Sequence, residues 1–311
     1  MSAPDIPLID FAPFLTAATE AQQPVAQAVF RACHEVGFLY VKHHGIPQAA
    51  IEQAFAQSRA FFARPLAEKQ ALAWSDATSN RGYVGIERER LDETQPGDLK
   101  EAFNVGKESS ARARSEAPPV VNCWPEDATF QPAISEFFQH CTAAATRLLQ
   151  AFAIALSLPP DYLSARHQTH DYTLRLLHYP PLTTLPQPGQ LRAGAHSDYG
   201  SLTLLFQDRI GGLEVLSRQG WVTAPVIPGA ILVNTGDLMQ RWSNHLFRST
   251  QHRVRLPEET GCDRYSIAFF CQPDAATEIT CLPSCQSADR PAQYPPVTAG
   301  DYLLSRLQAT Y

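Results

Sequence analysis

The chain has 311 residues, 44% of them hydrophobic and 18% charged, with a formal net charge of −6. This is enough apolar material for one large core, and the acidic balance argues against a general polyanion binder, whose surface would carry a basic stripe. No secretory leader and no apolar run of roughly 20 residues is evident, so neither nucleic acid nor membrane is expected as a partner. The seven scattered cysteines, odd in number and without a C-x-x-C pair, suit a reducing, cytoplasmic setting.

In chain order, Ile6 to Asp10 is short and apolar and suits an opening strand. Apolar positions Val25, Ala28, Val29 and Ala32 predict a helix over Gln22 to Val36, ended by Gly37 and followed by a strand over Phe38 to Val41. A second helix is expected from Gln48 to Ala71, with a break at Pro65. Ser75 to Gly106 is polar and rich in turn formers, and a Pro-rich loop passes Pro118, Pro119 and Pro125. The longest helix is expected from about Ile134 to Leu156. Beyond Tyr172 the pattern changes to short β-branched and aromatic runs: Tyr172 to Tyr179, Leu202 to Phe206, Leu213 to Leu216, Ile231 to Asn234, His252 to Leu256 and Tyr265 to Cys271. Turns at Gly211-Gly212, Arg218-Gln219-Gly220 and Pro228-Gly229 separate several of them. Many short strands of this kind predict a barrel or a jelly roll. The expected architecture is α+β, a single catalytic domain over residues 1–311, with a mainly helical part at 1–171 and a jelly-roll part at 172–311.

The chemistry is expected in the second half. In extended chain, residues two apart share a face at roughly 6.5–7 Å, so His196 and Asp198 in Gly194-Ala195-His196-Ser197-Asp198 can converge on one ion. His252, at the head of a later strand, can supply a third ligand from a neighbouring position in a closed sheet. Two imidazoles and one carboxylate on one triangular face leave open positions on an iron(II) ion, the pattern of non-haem oxygenases. Alone, His-x-Asp is a weak signal. Arg264 and Ser266, two apart on a later strand, strengthen it, because a guanidinium and a hydroxyl make a receptor for the far carboxylate of a metal-chelating dicarboxylate. Asn234, Gly236 and Asp237 are expected to shape a turn, with Gly236 at positive φ. No H-E-x-x-H zinc motif and no G-x-G-x-x-G nucleotide loop competes with this reading.

An ordered series of motifs extends the argument over nearly the whole chain: Ile6 to Asp10, Gly37 to Val41 with His44-Gly45-Ile46, Arg81-Gly82-Tyr83, Lys100 to Phe103, Arg175 to Pro181, His196-Ser197-Asp198, Gly212 to Val215, Asn234 to Asp237, His252-Arg253-Val254 and Arg264-Tyr265-Ser266. The chain thereby resembles the 2-oxoglutarate-dependent dioxygenases, in their isopenicillin N synthase-like branch. The resemblance implies a double-stranded β-helix, Fe(II) on His196, Asp198 and His252, O2 as oxidant, and 2-oxoglutarate held by Arg264, Ser266 and Tyr179. It departs from plant members, which commonly carry Asn where this chain has Leu177. The implied reaction is oxidation, chiefly hydroxylation, of a small organic molecule with release of succinate and CO2. Pocket walls are expected from the Asn80 to Gly106 region, the loop after Pro181 and a helix near Tyr302 to Leu307, with Phe103, Asn104 and Phe206 near substrate. Two alternatives stand beside this: an iron oxidase of the same fold that does not use 2-oxoglutarate, and a sensor that binds the metal and 2-oxoglutarate without turnover.

Overall fold

A computed structural model of the chain describes residues 6–16, 19–74, 80–92, 94–108, 121–256 and 261–310. Strand β1 (Leu8–Asp10) is followed by helix α1 (Thr19–Glu35), β2 (Phe38–Lys42), α2 (Gln48–Phe62) and α3 (Leu66–Ala71). Gly37 joins α1 to β2 at φ +79, and a Cβ there would lie 2.5 Å from Thr250 Oγ1 and 2.6 Å from Arg248 O, so only glycine fits. Pro65 breaks the second helix into α2 and α3, as its missing N–H requires.

Strands β3 (Gly82–Val84) and β4 (Glu101–Gly106) lie where the sequence suggests only turns. All six residues of β4 are buried, Glu101 and Asn104 among them, so polar side chains hide the strand from an apolar count. Residues 75–79, 109–120 and 257–260, which include Pro118 and Pro119, lie outside the described residues. The long helix α4 (Phe130–Ala155) begins four residues before the expected start at Ile134.

The second half supplies β5 (Thr173–Tyr179), β6 (Ala193–His196), β7 (Leu202–Gln207), β8 (Leu213–Ser217), β9 (Gly220–Thr223) and β10 (Ala230–Thr235). Then come helix α5 (Asp237–Trp242), β11 (His252–Val254), β12 (Arg264–Cys271), the short pair β13 (Glu278–Ile279) and β14 (Val297–Thr298), and helix α6 (Ala299–Thr310). The large sheet has the order β1-β2-β10-β7-β12-β5-β4-β3, and a four-stranded sheet, β6-β11-β8-β9, forms a second layer. Thus the first half lends four strands to the large sheet rather than only covering it.

The large sheet is apolar on both faces. Leu204, Phe206, Phe103, Leu174, Leu176, Ile267 and Phe269 face outward and pack with α1, α2 and α4. Tyr40, Leu177, Tyr179, Leu232 and Ala268 face inward toward Ala193, Leu213, Val215 and Val254 of the small sheet. Two sheets facing across an apolar interior, with helices on the outside of one, make a double-stranded β-helix.

Candidate metal centre and its pocket

Sheet register brings the three proposed ligands together. β6 and β11 are antiparallel with His252 opposite His196, and the ring centroids are 4.3 Å apart. Asp198 lies two residues past the end of β6; its Oδ1 is 4.0 Å from His196 Nε2 and 3.7 Å from His252 Nε2. One donor atom from each residue falls within 4.8 Å of the others, a span that one ion can bridge, so the donor set fits iron(II).

The surroundings fix which atoms face inward. His196 Nδ1 lies 2.8 Å from Gly194 O and His252 Nδ1 3.2 Å from Thr250 O. A carbonyl only accepts, so each Nδ1 carries the proton and each Nε2 keeps its lone pair for a metal. Burial, and then the neighbouring His252, hold the His196 ring well below the usual histidine range, so it is neutral and ready to ligate. Burial alone would raise the Asp198 carboxyl, but His252, then His196, and hydrogen bonds from Asn234 and Thr203 outweigh it and hold the group charged.

Asn234 therefore does more than shape a turn. Its Nδ2 donates to Asp198 Oδ2 over 2.7 Å, while Oδ1 lies toward the two imidazoles. Nor does Gly236 adopt positive φ: it lies at φ −103, ψ −179. Glycine is required there by proximity, because a Cβ would stand 2.4 Å from Gly200 O and 2.8 Å from Asp198 O. The first N–H groups of α5 secure the ligand loop, Asp237 N donating to Asp198 O at 2.8 Å and Leu238 N to Tyr199 O at 3.2 Å. Asp237 itself accepts from Ser249 Oγ and Tyr302 Oη, and so ties α5 to α6. An Asn234→Ala variant is expected to bind iron(II) about 10–100-fold more weakly while keeping its fold. Competition with a chelating dye would measure it; unchanged affinity would show that Asp198 needs no such brace.

Arg264 and Ser266 lie side by side on β12, 3% and 1% exposed, and both line the same cavity as the three ligands. Arg264 is opposite Tyr179 in the β5–β12 register, and its guanidinium carbon is 4.5 Å from the centre of the Tyr179 ring. Arg264 donates from its Nε to Gly211 O, from one terminal nitrogen to Ser266 Oγ at 3.2 Å and from the other to Gln207 Oε1 at 3.3 Å. Gln207 gave no signal in the sequence beyond ending a strand.

The cavity measures about 490 Å³. Asn80, Asn104, Thr173 and Arg175, neighbours through the β4–β5 register and the Asn80 hydrogen bonds, form a polar wall, while Tyr199, Phe270, Leu303 and Leu307 supply apolar surface, Phe270 directly beside Thr173. Asn104, which the sequence reading puts near substrate, lines this cavity, its Nδ2 donating to Asn80 Oδ1 at 2.7 Å. Phe103 and Phe206 do not: each sits on the helix side of the sheet, Phe103 against Phe61 and Phe206 against Phe137, with ring centroids 4.4 and 5.1 Å apart. Strand alternation forces the exchange, since Asn104 and Phe103 cannot share a face, and packing against the helices gains roughly 1.5–3 kcal/mol per buried ring. The loop after Pro181 also lies away from the cavity, whose lining passes from Tyr179 to Ala193.

Behind the polar wall lies a buried ionic cluster. Both terminal nitrogens of Arg175 grip Glu89 at 2.9 Å, and Lys100 Nζ reaches Glu89 at 2.8 Å and also Asp98. Burial would raise the Glu89 carboxyl, but Arg175 and then Lys100 hold it well below the usual range. Asp98 Oδ1 accepts the Gly194 N–H at 2.8 Å, two residues before His196. Two carboxylates and two cations cancel, so this cluster adds no net charge to the cavity.

Fold and site define an oxygenase centre of the mononuclear, non-haem kind. Residues 6–127 match the family described as non-haem dioxygenase in morphine synthesis N-terminal, and residues 170–273 match the 2OG-Fe(II) oxygenase superfamily. The proline hydroxylase buaE of Petromyces alliaceus is 34% identical, over 99% of this chain and all of its own. A Neurospora crassa protein crystallised with alpha-KG (2-oxoglutarate) and thymine superposes with TM-score 0.88 at 35% identity, covering 98% of this chain and 97% of that one. A 2OG-Fe(II) oxygenase family protein of Caulobacter crescentus superposes with TM-score 0.87 at 32% identity, over 99% of both chains. The chain belongs to the 2OG-Fe(II) oxygenase superfamily. It is an Fe(II)- and 2-oxoglutarate-dependent dioxygenase that uses O2, and these relatives do not favour the 2-oxoglutarate-independent oxidase or the sensor. No helix among the described residues is long and apolar enough to cross a membrane.

Proposed function

We propose that His196, Asp198 and His252 hold the iron, that Arg264 and Ser266 hold the far carboxylate of 2-oxoglutarate while Tyr179 bonds the same co-substrate, and that the substrate is a small, neutral, planar molecule with a hydrogen-bonding edge, such as a pyrimidine base. With residues 1–311 acting as one catalytic unit and all seven thiols unpaired, the reading also places the enzyme in the cytoplasm.

The observation that carries the substrate class is the cavity's mixed lining, in which uncharged polar groups stand beside apolar and aromatic ones. Amide and hydroxyl groups of Asn80, Asn104 and Thr173 offer donors and acceptors to a polar edge. Phe270 and Tyr199 offer flat apolar surface to a ring face. Glu89, Asp98, Lys100 and Arg175 neutralise one another, which favours a neutral partner at that part of the lining; apart from Asp198 and Arg264, the other charged residues around the same cavity are Arg81, Lys107 and Asp171. The thymine complex of the Neurospora relative supports the same class.

Iron, 2-oxoglutarate and O2 together supply oxidative decarboxylation to succinate and CO2, coupled to oxidation of a substrate C–H bond. The protein's own residues do the rest. The two imidazoles and the carboxylate present their donors on one face. Arg264 and Ser266 orient the co-substrate by its far end, and the apolar surface excludes water from the bound substrate. In a panel of free pyrimidine bases, proline and anionic carboxylates, a pyrimidine base is expected to raise succinate release most. A panel in which only charged compounds raise it would overturn the substrate class and leave the dioxygenase assignment standing.

A further inference from the structure

Near Arg264 a second arginine is buried without a hydrogen-bond partner among the described residues. Arg192 is 1% exposed, and neither its Nε nor either terminal nitrogen meets a hydrogen-bond acceptor. Its place follows from the register. Arg192 precedes Ala193, which pairs with Val254, and Val254 pairs with Leu213. Gly211, two residues before Leu213, accepts the Arg264 Nε. Both guanidinium groups therefore belong to the same end of the barrel, where β5 finishes at Tyr179.

A buried charge is normally paired, because removing an ion from water is costly unless a counterion replaces the solvent. Two carboxylates, Asp263 and Asp208, act on Arg192 through their charge, but neither makes a hydrogen bond to it, and both are bonded elsewhere. Asp263 Oδ1 is 2.6 Å from His178 Nε2. Asp208 accepts the backbone N–H groups of Ile210 and Tyr265. Burial first, and then the like charge of Arg264, push the Arg192 guanidinium below the usual arginine range. The protein thus maintains two cations near one another where one would serve a structural purpose at lower cost. Because the Arg192 nitrogens are covered as well as unpaired, the group can contribute charge to a neighbouring site without touching what binds there.

We infer that Arg192 is a second, non-contacting cation of the far-carboxylate site: with Arg264 it keeps that end of the barrel positive, and the incoming 2-oxoglutarate dianion supplies the missing counterion. The inference rests on the proposed placement of that carboxylate at Arg264 and Ser266. Its role is to strengthen and position, since the contacts themselves belong to Arg264 and Ser266. In a water-poor interior a charge acts over several ångströms with little screening.

The test is anaerobic titration calorimetry of the iron(II)-loaded protein with 2-oxoglutarate and with 2-oxopentanoate, which keeps the chelating end but has a methyl group in place of the far carboxylate. Arg192→Met is expected to weaken 2-oxoglutarate by about 10-fold or more and to leave 2-oxopentanoate unchanged. Arg192→Lys, which keeps the charge, should restore most of the 2-oxoglutarate affinity. The melting temperature of metal-free Arg192→Met should be equal to or above the parent's, because an uncompensated buried charge has been removed. Unchanged 2-oxoglutarate affinity in Arg192→Met, equal loss of both ligands, or a lowered melting temperature without ligand would each overturn the inference. Arg264→Met serves as the companion arm. If it leaves 2-oxoglutarate binding intact, the carboxylate site itself has been misplaced; if it abolishes binding while Arg192→Met does nothing, only the role of Arg192 falls.

Discussion

His252→Ala is expected to fold, to lose iron(II) and to release no succinate from 2-oxoglutarate. The imidazole is one of the three proposed donors, so its loss should weaken iron by more than the ~100-fold upper end for an outer hydrogen-bond partner. Little else depends on the ring. Its Nδ1 hydrogen bond to Thr250 O is local, and its packing partner Phe38 stays enclosed by the barrel. The β11 backbone pairs with β6 and β8 whatever the side chain. Melting temperature should therefore move little while metal content collapses. The measurement is bound iron after anaerobic loading, followed by succinate after exposure to air. Succinate at the parent's rate from a folded His252→Ala protein would remove His252 from the metal site.

Gly236→Ala should also be severe, although residue 236 is not a ligand. Its φ of −103 suits alanine, so the usual reduction of unfolded-chain entropy would predict a small gain in stability. Proximity predicts the opposite. The added carbon would stand 2.4 Å from Gly200 O and 2.8 Å from Asp198 O, both backbone atoms that cannot swing aside. Relief requires α5 to withdraw, which breaks the Asp237 and Leu238 N–H bonds to the ligand loop. A loss of about 3 kcal/mol is expected, at the upper end for forced overpacking, together with weaker iron binding through a displaced Asp198. Thermal melts and iron titration of one variant test both effects. A variant more stable than the parent would refute the close approach.

The proposed metal ligands stood out because the chemistry needs particular residue types at strand spacing, and the pairing of β6 with β11 sets His196 opposite His252. The helices were legible from apolar periodicity, with Pro65 and Gly37 marking a break and an end. Strand β6 was hidden in Ala193-Gly194-Ala195-His196, which has no β-branched residue, and β4 was hidden by its buried polar side chains. Helix α5 was missed because six residues carry too little periodicity to separate a helical turn from a loop. Phe103 and Phe206 were misplaced because both faces of the large sheet are apolar, so alternation alone does not say which face meets the cavity. Asn234 could have been weighed as a brace for Asp198, since an amide near a ligand carboxylate is a common device, but only the β10 position shows which oxygen it takes.

The ionic cluster behind the polar wall bears on how such a chamber can be retargeted. Arg175 faces the cavity and grips Glu89; Glu89 grips Lys100; Lys100 meets Asp98; and Asp98 holds the Gly194 amide on the strand that presents His196. Residues proposed to meet the substrate and residues proposed to hold the metal are thus mechanically one piece. Exchanging Arg175 alone for an apolar residue, to admit a bulkier guest, would strand Glu89 without its fork and unsettle the anchorage of the ligand strand. New specificity on this scaffold must then come from paired exchange at 89 and 175, or from Leu303 and Leu307 of α6, which carry no charge to strand and can drift one residue at a time.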